Sequence, residues 1–426
     1  MESLGLQTAV NVVSLAREGR FREICDLFSP ALRPLVSADL LQEAWDAEVG
    51  RQGAIVAVGN PLSDEGAGGV LVKVPVACEH GGLTVVVSVT HGGQLAGLQL
   101  APASAAEPVA PWQPPDYADP ANFGETDLTI GAGEQAVGGT LSMPHGARRG
   151  PAVVLLAGSG PNDRDETLGR NKPFKDLAWG LASRGVAVLR FDKVTFAHAS
   201  EVAVKSDFTL ADEYLPQALA AIEILRTHPG VDAGRIFVLG HSLGGTVAPM
   251  VASKAPSVAG LVIMAGGAQP LHLAMLRQVR YLASLDPNAS AASAAALEAL
   301  AEQVRRVDDP GLSPTTPATD LPFGVPAPYW LALRNYQPVT VAASLAQPML
   351  LLQGGRDYQV TVVDDLALWE QGLRGRENVS IRVYPADNHL FLPGSGPSTP
   401  AELEPAQHLD PDVITDIAVW LAESGA

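Results

Sequence analysis

The stretch RIFVLGHSLGG, residues 235–245, decides how the rest of the chain is read. RIFVLG (235–240) is an almost unbroken apolar run of strand length, and residues 243–254 continue with helical periodicity. Between them, Gly240-His241-Ser242-Leu243-Gly244 makes a strand-to-helix turn with a glycine two places either side of a serine. The turn is so tight that side chains at the glycine positions would strike the neighbouring strand and helix. Ser242 is left on a strained corner with its hydroxyl exposed, and the N–H of Leu243 faces the same space. That context separates a candidate nucleophile from a chance Gly-x-Ser-x-Gly.

Moving outward, strands and helices alternate on both sides of this corner. TDLTIG and AVGGTLSMP form an opening hairpin. Then come strand 152–158, a helix near 173–184, strand 186–192, helix 211–227, the 235–240 strand, helix 243–254 and strand 260–266. After an interruption at about 268–345 the series resumes with strand 348–354, helix 362–373, strand 379–385 and helix 411–423. Strands this apolar are covered on both faces, and such alternation predicts right-handed crossovers in a mostly parallel sheet. The interruption carries two Ala/Leu-rich helical stretches and the run PFGVPAPYW. It is expected to be a helical cap above the carboxyl ends of the strands.

Residues 1–104 have a different rhythm. Helical patterns at 6–17, 20–28 and 38–50 precede the strand-like runs GAIVAVG, GGVLVKVPVAC, LTVVVSVT and QLAGLQL. This is a small α+β domain. A Pro-rich stretch, 105–123, is expected to be an extended linker to the α/β domain at 124–426. With 28 Lys and Arg against 46 Asp and Glu, the net charge of −18 argues against nucleic acid and anionic membrane as partners. Cys25 and Cys78 are the only cysteines, without Cys/His clustering, so neither a disulfide framework nor a metal site is expected. The N-terminal segment lacks a basic start, an apolar run and a cleavage site, and no segment approaches membrane-spanning length; a cytoplasmic location is the expectation.

A serine hydroxyl needs a base. His389 follows the strand VSIRVYP in the loop PADNHLF, where this topology would bring a base to Ser242, whereas His408 lies close to the final helix. The base needs a carboxylate to fix its tautomer. Asp357 ends PMLLLQG in the loop GGRDYQV and gives the chain order Ser, Asp, His. Asp364 and Asp365 belong to the next helix, and Asp387 is too close to His389 to pair comfortably. A developing oxyanion would be met by the N–H of Leu243 and by Ser159 or Gly160, in the loop Gly158-Ser159-Gly160-Pro161. His241 is read as packing, and Arg190 to Lys193 as fixing loop structure.

LLAGSGPNDRDE, AVLRFDK, VLGHSLGG, PMLLLQGGRDYQV and PADNHLF, in this order, resemble the bacterial α/β-hydrolases of the carboxylesterase and serine-aminopeptidase-like type. One departure is FDKVTFAHAS, where such proteins usually carry Arg-Gly after the lysine. The helix-then-sheet pattern of residues 1–104 resembles the NTF2-like domains that sometimes precede these hydrolases. A ligand-binding cone, a homodimer surface and a support for the cap are all open as its role. The resemblance implies hydrolysis of a small-molecule carboxylic ester through an acyl-enzyme, without a metal or organic cofactor. Peptidase or thioesterase chemistry on the same residues is the rival within the class; a non-catalytic binding protein is the rival outside it. Phe323, Tyr329 and Trp330 in the expected cap would suit an apolar acyl slot rather than a site for a substrate amine.

Overall fold

A computed structural model describes residues 2–29, 32–33, 36–66, 69–90, 92–103, 111–146, 149–285 and 291–424. Its contacts divide the chain into two units, Met1–Ala110 with Leu282–Ala327, and Pro111–Tyr281 with Pro328–Ala426.

The first unit opens with α1 (Glu2–Arg17), α2 (Phe21–Asp26) and α3 (Ala38–Gln52), the last capped by Ser37, whose Oγ accepts from Leu40 N–H at 3.2 Å. A five-stranded antiparallel sheet follows: β1 (Ile55–Val58), β2 (Leu62–Gly66), β3 (Gly69–Cys78), β4 (Gly81–Val89) and β5 (Leu95–Pro102). The valines explain the sheet. Val70, Val72, Val74 and Val76 alternate inward on β3, as do Val85, Val87 and Val89 on β4, against Ala9, Val12, Val13 and Ala16 of α1. β2, with the sequence LSDEG, carries no apolar alternation and escapes a sequence reading; its backbone pairing with β3 makes it a strand. Cys25 and Cys78 are free thiols.

The stretch expected to be one cap, 268–345, divides. α9 (Leu271–Leu285), α11 (Ala327–Asn335) and α12 (Pro338–Ser344) lie wholly or mostly in the second unit, while α10 (Ala291–Asp308) belongs to the first. Ala301, Val304 and Val307, spaced three apart along α10, are all buried, and Arg306 pairs with Asp320 at 3.1 Å. The expected linker is corrected too. Residues 105–110 lie outside the described residues, but Pro111–Asn122 is docked on the second unit. Trp112 meets Trp179 edge-on at 4.9 Å and donates to Asp176 at 2.9 Å, and Arg184 donates to the Tyr117 carbonyl. Proline fixes the backbone here, but the aromatics hold it down.

The second unit is built on an eight-stranded sheet in the order β13-β12-β11-β10-β8-β9-β7-β6. Its strands are β6 (Phe123–Ile130), β7 (Val137–Pro144), β8 (Gly150–Leu156), β9 (Ala187–Phe191), β10 (Val231–His241), β11 (Gly260–Met264), β12 (Met349–Gly354) and β13 (Val379–Tyr384). From β8 onward neighbours run parallel; the β6–β7 hairpin joins antiparallel at one edge. Ala152, Val154 and Leu156 of β8 point into one core, and Val153, Leu155 and Ala157 into the other. Helices cover both faces: α4 (Pro173–Ala182) and α14 (Pro411–Glu423) on one, α7 (Leu210–Thr227) and α8 (Leu243–Lys254) on the other. Two short helices, α5 (Val194–Ala197) and α6 (Ala199–Ala203), follow Lys193, and a π-turn (Val362–Leu366) leads into α13 (Ala367–Gly372). Among the described residues no helix is long and apolar enough to cross a membrane.

The β10–α8 corner is the tightest place in this sheet. A Cβ on Gly240 would lie 2.6 Å from Gly245 N, and one on Gly244 would lie 2.7 Å from Ala157 O. Backbone cannot yield as a flexible side chain can. Gly244→Ala is therefore expected to cost about 3 kcal/mol, lowering the melting temperature of this unit by roughly 6–12 °C. Gly185→Ala is the comparison: Gly185 has a positive φ, +85°, that Gly244 lacks, but open space around it. Equal losses in thermal melts of the two variants would refute the steric argument.

Candidate active site

β9 lies on one side of β8 and β10 on the other, so the chain's winding reverses between β8 and β10. The loops leaving their carboxyl ends diverge there and open a crevice, the place where such sheets hold ligands. β8 leads to Gly158 and Ser159; β10 leads to Ser242. Ser242 has φ 55° and ψ −122°, which L-residues rarely adopt. Its N–H donates to Met264 O at 2.9 Å, and its carbonyl accepts from Thr246 N–H at 2.9 Å. The corner is thus tied to β11 on one side and to the first turn of α8 on the other.

Three of the expected residues meet. His389 Nε2 is 3.0 Å from Ser242 Oγ, and His389 Nδ1 is 2.7 Å from Asp357 Oδ2. Asp357 is buried and fully engaged: Oδ1 accepts from the N–H groups of Gln359 and Val360, and Oδ2 also accepts from Gln353 Nε2 at 3.2 Å. The His389 loop is wired by Asn388, whose Oδ1 accepts from Leu390 N–H and Leu392 N–H and whose amide donates to Glu402. Burial works against the charge of Glu402, but hydrogen bonds from Ser398, Arg356 and Asn388 outweigh it and hold the carboxyl low. Gly158, Ser159, Glu166, His241, Ser242 and His389 share the wall of a cleft of about 170 Å³ with Tyr358, Leu390 and Pro400. That is below the roughly 300–1,000 Å³ of sites for drug-sized ligands.

Of the candidate oxyanion donors, Leu243 is the first residue of α8, so its N–H is among the unpaired donors of a helix start, where the helix dipole favours negative charge. Ser159 lines the cleft, and Gly160 follows it at φ +90°. Tyr329 and Trp330, expected to bind substrate, do not line the cleft. Tyr329 OH donates to Glu213, and Trp330 is buried edge-on to His272 at 6.2 Å. Phe323 falls in the first unit, at φ 56°. Aromatics among prolines do not distinguish a slot from ordinary packing, and here Tyr329 and Trp330 pack.

Several residues at the site carry more than the sequence suggested. His241 is a second buried imidazole, with Nδ1 3.0 Å from Glu166 Oε1 and Nε2 2.9 Å from His389 O. Burial lowers its pKa, but the Glu166 charge and hydrogen bond prevail and raise it. Glu166 also accepts from Gly158 N–H at 2.6 Å, so one carboxylate reaches the loop beside Ser242 and the residue before it. Asp365, expected to be a solvated helix carboxylate, is instead buried; it accepts from Ala268 N–H and Gln269 N–H and pairs with Arg277 at 2.8 Å. For Glu166 the signal available was the charged run Asp163-Arg164-Asp165-Glu166 in the loop after an apolar strand, too dense for an ordinary turn. Among the described residues no cluster of three or more His, Cys, Asp or Glu could hold a metal ion.

An eight-stranded, mostly parallel sheet with a serine on the β10–α8 corner makes this an α/β-hydrolase. The profile of the serine aminopeptidase S33 family (Hydrolase_4) matches residues 170–392, and the chain belongs to that family. It is 39% identical over 345 residues to Esterase EstD of Thermotoga maritima, covering 81% of this chain and 78% of that one. Among solved structures it has a partial likeness to the Pyrococcus furiosus esterase Pf2001, at 18% identity over 75% of this chain and 96% of that one, with a TM-score of 0.45. Est1E from Butyrivibrio proteoclasticus gives 17% identity, 70% and 99% coverage and a TM-score of 0.46.

Asp387 sits two residues before His389 with no exposure, and its carboxyl meets the Asp410 carboxyl rather than any N–H of the described residues. Burial and the nearby Asp410 carboxylate push its pKa up to about 7. The native carboxyl therefore holds a proton that the unfolded chain releases near pH 4, and stability falls as pH rises from about 4 through 7. Asp387→Asn is expected to melt several degrees above the wild type at pH 8, with the gap closing towards pH 5. A gap independent of pH would show that this carboxyl is not the titrating group.

Proposed function

We propose that the protein hydrolyses small carboxylic esters through an acyl-enzyme on Ser242. The observation that carries this reading is the contact chain Ser242 Oγ to His389 Nε2, His389 Nδ1 to Asp357. His389 takes the hydroxyl proton as Ser242 attacks the acyl carbonyl, and the Asp357 carboxylate stabilises the imidazolium. The tetrahedral oxyanion is met by the Leu243 N–H, with a second donor from the Ser159–Gly160 loop. His389 then passes its proton to the departing alcohol. Water, deprotonated by the same imidazole, attacks the acyl carbon and frees Ser242. The chain's own residues supply every group these steps use. The small cleft favours short acyl groups, and the likeness to Esterase EstD of Thermotoga maritima favours an ester over an amide.

One observation favours a second reading, cleavage of aminoacyl amides. Glu166 Oε2 lies buried on the cleft wall without a hydrogen-bond partner among the described residues, an anion that could meet a substrate amine. Its other oxygen is already engaged twice, and for that reason the ester reading is preferred.

Hydrolysis of p-nitrophenyl esters of graded acyl length, set beside aminoacyl p-nitroanilides, separates the two. Short acyl esters are expected to turn over fastest, and Ser242→Ala is expected to lower kcat by roughly four to six orders of magnitude. Asp357→Asn should lose about 10⁴-fold. Anilides outpacing every ester would favour the amide reading, and turnover surviving in Ser242→Ala would remove Ser242 from the mechanism.

A further inference from the structure

Lys193 is buried beneath the site and the steps above leave it idle. Its Nζ donates to the Gly158 carbonyl at 2.7 Å and to Tyr214 OH at 3.0 Å, and pairs with Glu213 Oε1 at 2.6 Å. Both members of the ion pair are almost fully buried, with side chains 3% and 4% exposed. The other oxygen of Glu213 accepts from Tyr329 OH. The Gly158 carbonyl also accepts from Asn162 Nδ2 at 3.1 Å, and Tyr214 OH stands 3.1 Å from it but nearer, at 2.8 Å, to the Ala157 carbonyl that takes its single proton. Two donors, one of them an ammonium, therefore converge on a single peptide oxygen, with the Tyr214 hydroxyl beside them. A buried ion pair is an expensive way to hold a loop, because desolvating two charges rarely stabilises a fold more than apolar packing would.

The peptide bearing that oxygen is Gly158–Ser159, and its N–H is the N–H of Ser159. No peptide bond in the described chain is cis, so this N–H points opposite to the carbonyl. The carbonyl is drawn inward to Lys193, and the N–H is turned the other way, at a residue that lines the cleft. Gly158 is pressed against the nucleophile: a Cβ there would lie 3.1 Å from Ser242 Cβ. We infer that Lys193 is a positioning residue whose ammonium, held by Glu213, fixes and polarises the Gly158–Ser159 peptide so that Ser159 N–H is the second oxyanion donor. The ammonium draws electron density towards the carbonyl oxygen and makes the N–H a stronger donor without entering the cleft itself. This rests on the acyl-enzyme reading above, and it selects Ser159 over Gly160.

Removing Lys193 alone would strand a buried carboxylate, so the test uses the double variant Lys193→Met with Glu213→Gln. Two quantities are read. The first is kcat and KM on the best p-nitrophenyl ester. The second is inhibition by a trifluoromethyl ketone, whose carbonyl carbon accepts the Ser242 oxygen and leaves an oxyanion, compared with the matching alcohol, which forms none. A donor that acts on the oxyanion is expected to lose about 10²- to 10³-fold in kcat, with KM within about threefold. Ketone affinity should fall in parallel while alcohol affinity stays put. Tyr214→Phe, which removes the hydroxyl that Lys193 Nζ meets beside the Ala157 and Gly158 carbonyls without touching a charge, should show the same pattern at about tenfold and serves if the double variant does not fold. Ketone affinity unchanged, or ketone and alcohol affinities falling together, would overturn the inference. The acyl-enzyme reading fails separately, if Ser242→Ala remains active or the wild type cleaves no ester.

Discussion

Everything at this site depends on how closely the end of β10 approaches the start of α8. With no room for a Cβ at Gly240 or Gly244, the chain reverses from strand to helix within a few residues, and Ser242 is held at a backbone conformation it would not choose. The strain is borne by the sheet. β8 and β11 flank β10 in register, pairing Gly240 with Leu156 and His241 with Met264, so the corner cannot relax without disturbing the most buried strands of the molecule. A flexible side chain here would have to be ordered each time a ligand arrived; the Ser242 corner is ordered by folding.

Around that corner, buried charge is used to fix loops. Asp357 sets the His389 ring, Glu166 and His241 join the loop beside Ser242 to the backbone of His389, and Asp365 with Arg277 holds the turn after β11. None of these is a stability device in the ordinary sense, since a buried ion pair seldom outperforms apolar packing. Their common property is direction: each carboxylate accepts from two or more donors and so fixes several atoms at once. The loops at the carboxyl ends of the strands can then be irregular in sequence and still be rigid.

The sequence carried the second unit nearly whole, because its strands are continuous apolar runs and its helices have the usual period. Ser242, His389 and Asp357 were legible from where they stand, each just past a strand and in chain order. Other features were not. β2 is a strand by pairing alone, and LSDEG has no pattern to betray it. Tyr329 and Trp330 read equally well as slot or core, because periodicity reports that a residue is buried and not what it is buried against. Lys193 and Glu213 are twenty positions apart and meet only because the fold brings the end of β9 to α7, which no local pattern reports. The stretch 268–345 reads as one cap because it interrupts the α/β series, and an interruption says nothing about which core will receive residues 282–327.

That last segment bears on how the molecule is made. The first unit draws on residues 1–110 and again on 282–327. A ribosome releasing the chain from its N-terminus delivers the three helices and five strands early, yet α10 emerges only after β6 to β11 have been synthesised. At the usual pace of about 5–20 residues per second, the early part waits on the order of ten seconds or more for its missing helix. The side of α3 that contacts α10 stays uncovered through that delay, so this hydrolase has a window of vulnerability during its own synthesis that neither unit, taken as a finished object, would reveal.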